Sequence, residues 1–301
     1  HVEKGNLLPM SRAYAPSAEL RLTEHVAKLA DEHPPIELDS VDFSVVRPHE
    51  FEARFGHVLD YMARVELEVD RNVLELTTLL PDPPEIDRHF YTIWQRQEIH
   101  HGLILDRLQV ELGRGAADAD LDSIGAKLKV LGALAHLGPF QDVCRMLYYL
   151  TGMATERSAV LAYNLLHRGT IEMGETAIAN TVIGPIKRQE PGHFAFYQLS
   201  ARSLWAELAG WQRWLVRLMR RMSFAPVGAN NSRQKADFGD VMATLGISED
   251  LDDFADQISR VETELLWARD RGLKVPDYVA RAFREAVELA RERAHLPHLH
   301  R

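Results

Sequence analysis

The chain has 301 residues, 46% of them hydrophobic and 26% charged, with a formal net charge of −9. That composition supplies a sizeable core and excludes a disordered chain, while the acidic balance argues against generic nucleic-acid binding, which needs a basic surface. No apolar run reaches the roughly 18 residues of a membrane-spanning helix, and the single cysteine, Cys144, rules out an intrachain disulfide and fits a cytoplasmic setting.

Taken in order, the sequence predicts helices almost throughout. Ser17 to Glu32 has helical periodicity and stops before His33-Pro34-Pro35; a connector follows to about Pro48. His49 to Leu80 reads as one long helix with Leu59, Met62, Val69, Val73 and Leu76 on its apolar stripe, and Pro81-Asp82-Pro83-Pro84 ends it. A second long helix spans Ile86 to Leu112, and a turn at Gly113-Arg114-Gly115 leads to a shorter helix over Leu121 to His136. The third long helix runs from Phe140 to His167 and is bounded by Gly169; the fourth runs from Thr170 to about Met222. After a loop at 224–236, helical patterns resume over Phe238 to Leu245, Leu251 to Arg271 and Val275 to His295. No stretch alternates as a strand. The expectation is an all-α four-helix bundle at 49–222, preceded by a helix and connector at 1–48 and followed by helices at 223–301 on the same domain.

One hexapeptide pattern occurs twice. Arg96-Gln97-Glu98-Ile99-His100-His101 and Arg188-Gln189-Glu190-Pro191-Gly192-His193 both read R-Q-E-x-x-H. Residues three apart lie on one helical face, so each Glu and His can address one point. Two such pairs, with one Glu from each of two further helices, make the ligand set of a two-metal carboxylate bundle. The further glutamates are Glu66, in phase with the apolar stripe of the first long helix, and Glu156, inside the apolar run of the third. A carboxylate on a core face is costly unless paired or metal-bound. Glu68 falls out of phase and is expected in solvent. The competing reading is a bundle whose glutamates pair with Arg96 or Arg157; a third Glu-x-x-His, Glu292 to His295, is a chance match in the tail.

These segments resemble the soluble acyl-carrier-protein desaturases, a ferritin-like di-iron family. Trp94-x-x-Gln97-Glu98-x-x-His101-Gly102 looks like the family's W-x-x-E-E-N-R-H-G, Met153-Ala-Thr-Glu156-Arg157 like its S-F-Q-E-R, and Gln189-Glu190-Pro-Gly-His193 like its D-E-K-R-H. The resemblance spans roughly residues 40 to 220. It implies a homodimer holding two Fe ions on Glu66, Glu98, His101, Glu156, Glu190 and His193, with the glutamates of the two Glu-x-x-His motifs bridging. It also implies dioxygen as co-substrate, a ferredoxin-type electron donor and an acyl chain carried on the phosphopantetheine of an acyl carrier protein. The expected function is oxygen-dependent desaturation of that chain. The alternatives are a di-iron hydroxylase or N-oxygenase and, in another class, a ferritin- or rubrerythrin-like iron protein.

The chain departs from the family pattern at Gln97 and Gln189, where the family has acids that orient ligand histidines, and at Ala159, where it has a threonine; Thr155 or Ser158 is expected to compensate. Pro191 is expected to kink the fourth helix. Trp94, one turn before Glu98, is a candidate electron relay. Arg213, Arg217, Arg220 and Arg221 concentrate charge suited to an acidic carrier protein, or else form a solvated face with Trp211 and Trp214 anchored in the core. Glu172 and Glu175 are expected in a solvated first turn of the fourth helix, Cys144 as a buried small hydrophobe, and the tail His295-Leu-Pro-His298-Leu-His300 as inert.

Overall fold

A computed structural model describes residues 11–296, which form helices and no strand. His298 and His300 of the tail lie outside the described residues. Proline sets several helix starts, where its missing N–H would go unsatisfied anyway: α1 (Pro16–Glu32), α2 (Pro48–Leu67), α6 (Gly138–Glu172) and α8 (Gly184–Glu207) all carry one at the first or second position.

Four long helices frame the bundle. α2 pairs with α4 (Glu85–Glu111), and α6 pairs with α8. α1 lies across α4 and α8, while α3 (Val69–Leu79) rests on α5 (Ala126–Ala135). The later helices are α9 (Gly210–Ser223), α10 (Ser232–Thr244), α11 (Leu251–Glu262), a single turn α12 (Ala268–Arg271) and α13 (Asp277–His295). They close one side: α10 packs on α2 and α13, and α11 on α6. One hydrophobic cluster includes Leu22 of α1, Phe55 of α2, Tyr149 of α6 and Phe283 of α13.

Several boundaries differ from expectation for identifiable reasons. The first long helix is interrupted at Glu68 (φ −70°, ψ 0°), which separates α2 from α3. Its side chain does not face solvent: it is 2% exposed, held by Arg64 at 3.2 Å and Arg71 at 3.1 Å. A buried pairing partner outweighed the helical phase that placed it outside. Gly169 does not end the third helix; α6 runs on to Glu172 because Gly169 meets the Phe55 ring, where a Cβ would lie 2.6 Å from Cζ. Gly174, at φ +75°, makes the turn instead. Glu172 is therefore the exposed last residue of α6. Glu175 is fully buried, accepting the backbone N–H groups of Val46 and Arg47 at 2.8 Å each.

The fourth helix is two helices. α8 ends at Glu207 and α9 starts at Gly210, where the Gln212 side chain accepts the Ala209 N–H at 2.8 Å. α8 continues through Pro191, and the irregularity lies upstream in a π-helical stretch, Ala179–Ile183, joined to the three-residue α7 (Thr176–Ile178).

A candidate carboxylate–histidine metal centre

α2, α4, α6 and α8 each turn acid into the bundle axis. Glu66, Glu98, His101, Glu156, Glu190 and His193 are all at most 5% exposed. Ligand atoms of Glu66, Glu98, His101 and Glu190 lie within 4.8 Å of one another, and so do those of Glu98, Glu156, Glu190 and His193. Glu98 and Glu190 belong to both groups. All six residues expected from sequence are thus brought together.

The two histidines point the same way into this cluster. His101 Nδ1 lies 3.1 Å from Glu190, 3.7 Å from Glu66 and 3.8 Å from Glu98. His193 Nδ1 lies 2.9 Å from Glu98 and 3.6 Å from both Glu156 and Glu190. Among the described residues no arginine neutralises the site: Arg96 is exposed, and Arg157 reaches Gln257 at 3.4 Å. The reading of incidental salt bridges to those arginines is therefore set aside.

The histidine tautomers follow from the glutamines. Gln97 donates its amide N–H to His33 O at 2.6 Å, and Gln189 donates to Pro34 O at 2.9 Å. A carbonyl can only accept, so each amide must turn its NH2 that way and present its oxygen to a histidine. The pairing crosses the bundle: Gln189 Oε1 accepts from His101 Nε2 at 2.8 Å, and Gln97 Oε1 from His193 Nε2 at 2.5 Å. Each ring thus keeps a proton on Nε2 and aims Nδ1 at the carboxylates. The backbone at 33–34 favours an amide over an acid at both positions. A carboxylate would oppose a carbonyl oxygen.

Without a cation the cluster holds protons. Burial raises Glu156, Glu98's charge adds to that, and the carboxyl reaches about 8. Burial alone would lower His101, but Glu190 and Glu98 overcome it and push the ring up to about 10; the carboxylates likewise raise His193 well above its ordinary value.

The buried atoms without a hydrogen-bond partner include His101 Nδ1, His193 Nδ1, Glu98 Oε1 and both oxygens of Glu190. Unsatisfied buried donors and acceptors converging from different helices are the condition a metal ion relieves. Four carboxylates also match the charge of two divalent cations. The residues present fit a two-metal centre. A cavity of about 70 Å³ opens on the carboxylate side, touching Glu66, Glu98, Glu156 and Glu190 but neither histidine, and its other walls are mainly apolar. A larger cavity of about 430 Å³ shares Val65, Asn72, Trp94, Thr155 and Ser158 with it.

Of the flanking residues, Trp94 Nε1 donates to Glu156 Oε1 at 2.9 Å. Thr155 and Ser158 line both cavities, and the Ser158 hydroxyl donates to Ala154 O at 2.7 Å. Sequence reasoning missed Tyr163, whose hydroxyl donates to Glu66 at 2.5 Å. It lies two turns after Glu156 on the same face of α6, a spacing that could have flagged it.

The arginine row is not one patch. Arg220 is 3% exposed, paired with Glu262 at 2.7 Å and bonded to Thr151 Oγ1 at 3.2 Å. Arg213 and Arg217 lie over the Trp205 ring and donate to the carbonyls of Ala206 and Leu266. Only Arg221 is exposed, and it belongs to a recess of about 420 Å³ shared with Arg271, Lys274 and Arg281. Nor are the tryptophans anchored: Trp211 is 47% and Trp214 63% exposed. Arg220 is drawn inward because α11 places Glu262 opposite it.

Compared with known protein families, curated proteins and solved structures, the chain matches none. The buried Glu/His groups could hold a metal ion, and that is what the fold and site establish.

Proposed function

We propose that the centre holds two iron ions and that the protein uses dioxygen to oxidise an apolar acyl chain delivered by an acidic carrier protein. The observation that carries this reading is the asymmetry of the site: glutamine-backed histidines close one side, and four carboxylates face an apolar cavity on the other. Carboxylate and imidazole ligands in a bundle suit iron or manganese. Two ferrous ions held by these six residues would supply electrons for reducing oxygen and for attack on an unactivated C–H bond.

The chain's own groups do the rest. Glu98 and Glu190, common to both ligand groups, would help hold both ions. Gln97 and Gln189 hold the imidazoles in register, and Trp94 and Tyr163 fix the outer oxygens of Glu156 and Glu66. Met62, Val65, Val69, Ala162 and Met242 line the approach and keep it dry for an alkyl chain. An iron store would have no use for such a wall. The proposed carrier surface is the recess at Arg221, Arg271, Lys274 and Arg281, which Asp277 also lines, because these four side chains bring more positive than negative charge to one hollow. A ferredoxin-type donor and a homodimer complete the proposal on the motif resemblance alone.

The test is iron analysis followed by mass spectrometry of acyl-carrier substrates under reducing, oxygenated conditions. About two irons per chain and loss of two hydrogens from the acyl chain are expected, with neither in Glu156→Ala. Gain of one oxygen instead marks a hydroxylase, and loading without product marks an iron-binding protein.

A further inference from the structure

A bundle core needs bulk and apolar surface, and phenylalanine supplies both. This chain instead packs Tyr14, Tyr148, Tyr149 and Tyr197 together beside α6, where a hydroxyl shut away from water needs a partner. They form a connected series. Trp94, bonded to Glu156, lies edge-on to Tyr197 with ring centroids 6.2 Å apart. The hydroxyls of Tyr197 and Tyr148 share a hydrogen bond of 2.5 Å, and Tyr148 is followed by Tyr149 at a centroid distance of 6.2 Å. Gly152 makes the first link possible, because a Cβ there would sit 2.6 Å from the Tyr197 ring.

The series ends in a proton acceptor. Tyr149 donates its hydroxyl proton to Asp87, which also accepts from Tyr14 at 2.8 Å. Tyr14 and Tyr149 oxygens are 2.6 Å apart, and Arg145 Nε donates to Tyr149 at 2.6 Å. Asp87, Tyr149 and Arg145 are all 0% exposed. Burial raises the Asp87 carboxyl, which favours its taking up a proton. Tyr14 precedes α1 and brings the series to within 8% exposure of the surface.

We propose that Trp94, Tyr197, Tyr148 and Tyr149 form a one-electron relay between the carboxylate centre and the Tyr14–Asp87 end, used when oxygen is reduced at the centre with no substrate in the cavity. The proposal rests on the di-iron reading above. In one turnover of the relay, Tyr149 gives up one electron and one proton. The electron passes through Tyr148, Tyr197 and Trp94 to dioxygen at the centre, which would take two electrons from the ferrous pair, this one from Tyr149 and the fourth from a further ferrous ion in solution, and would leave as water with protons from solvent, while the Tyr149 hydroxyl proton moves to Asp87 Oδ2. A neutral tyrosyl radical is left on Tyr149, with Arg145 and Asp142 balancing the local charge. Each transfer joins groups already in contact. The relay spares the ligands from self-oxidation and leaves the radical where a reductant can reach it through Tyr14.

The experiment loads the whole chain with ferrous iron without air, counts the iron, mixes it with oxygen in the absence of substrate, and freezes it for electron paramagnetic resonance. A tyrosyl signal is expected in the native protein and in Tyr61→Phe, which lies outside the series. In Tyr149→Phe and in Tyr148→Phe the signal should collapse to a shorter-lived species on the relay residues nearer the centre, with Trp94 and Tyr197 alone carrying it in Tyr148→Phe. Each change removes one oxygen atom, and the half-buried Tyr148 provides the cut if Tyr149→Phe does not fold. Protein holding two irons but giving no organic radical, or an unchanged signal in both variants, overturns the relay. A signal lost only in Tyr163→Phe also overturns it, by placing the radical on the tyrosine bonded to Glu66. Failure to bind iron refutes the metal reading itself, and the relay then has no origin.

Discussion

Replacing Gln189 by leucine tests how the centre is organised. The side chain is 4% exposed and makes two hydrogen bonds, from His101 Nε2 at 2.8 Å and to Pro34 O at 2.9 Å. Leucine occupies similar space and strands both partners. Each stranded buried group costs about 1–3 kcal/mol, so the metal-free protein should lose about 2–6 kcal/mol of stability. At about 2–4 °C per kcal/mol for a large domain, the loss is plain in scanning calorimetry. Freed from its acceptor, His101 no longer holds its proton on Nε2, and metal affinity should fall about 10–100-fold. Anaerobic titration calorimetry with ferrous iron should show that loss at the site served by His101. Gln97→Leu should do the same to the site of His193. Gln189→Glu separates the two functions: it keeps an acceptor for His101 but must carry a proton to satisfy Pro34 O. A carboxyl raised in this way contributes stability at low pH that disappears as pH rises through its folded value. Gln189→Leu with native affinity and native melting would show that the glutamine does not set the histidine.

Glu68→Ala leaves Arg64 and Arg71 without their buried partner and should cost about 3–5 kcal/mol, measured by denaturant unfolding, while the folded fraction still takes up its metal. The pH dependence has a definite sign. Glu156 at about 8 and His101 at about 10 lie above their ordinary 4.5 and 6.5, so protons stabilise the metal-free fold at low pH and that stability is lost as pH rises through those values. Metal binding expels the same protons, so the melting-temperature gap between loaded and metal-free protein should widen from pH 6.5 to pH 8, and a constant gap in calorimetry would refute it. Arg271→Glu with Lys274→Glu should weaken binding of an acidic carrier protein and flatten its salt dependence, measured by surface plasmon resonance, with metal content unchanged. Arg220→Ala should instead destabilise the fold by about 3–5 kcal/mol in thermal unfolding, since it strips Glu262 of its buried partner.

The all-helical class and the six clustered residues were legible because both rest on local periodicity. Glu66 and Glu156 stand on apolar stripes, and each Glu-x-x-His pair shares a face whatever surrounds it. Helix ends were less legible: Gly169 reads as a stop, yet a ring from α2 needs it inside α6.

Side-chain roles that depend on a partner distant in sequence belong to the tertiary structure. Glu68 and Arg220 looked like surface charges, and each is buried because an oppositely charged group meets it, from the same helix and α3 in one case and from α11 in the other. Gln97 and Gln189 stood out as departures, but their exchange of histidines across the bundle depends on the His33–Pro34 carbonyls that α1 brings against α4 and α8. The sequence by itself determined that carboxylates and imidazoles would share a helix face, because periodicity is a property of one segment. Which atom of each ring faces them, which side is open and which cations are free were decided only by packing, because those depend on what the other helices place opposite.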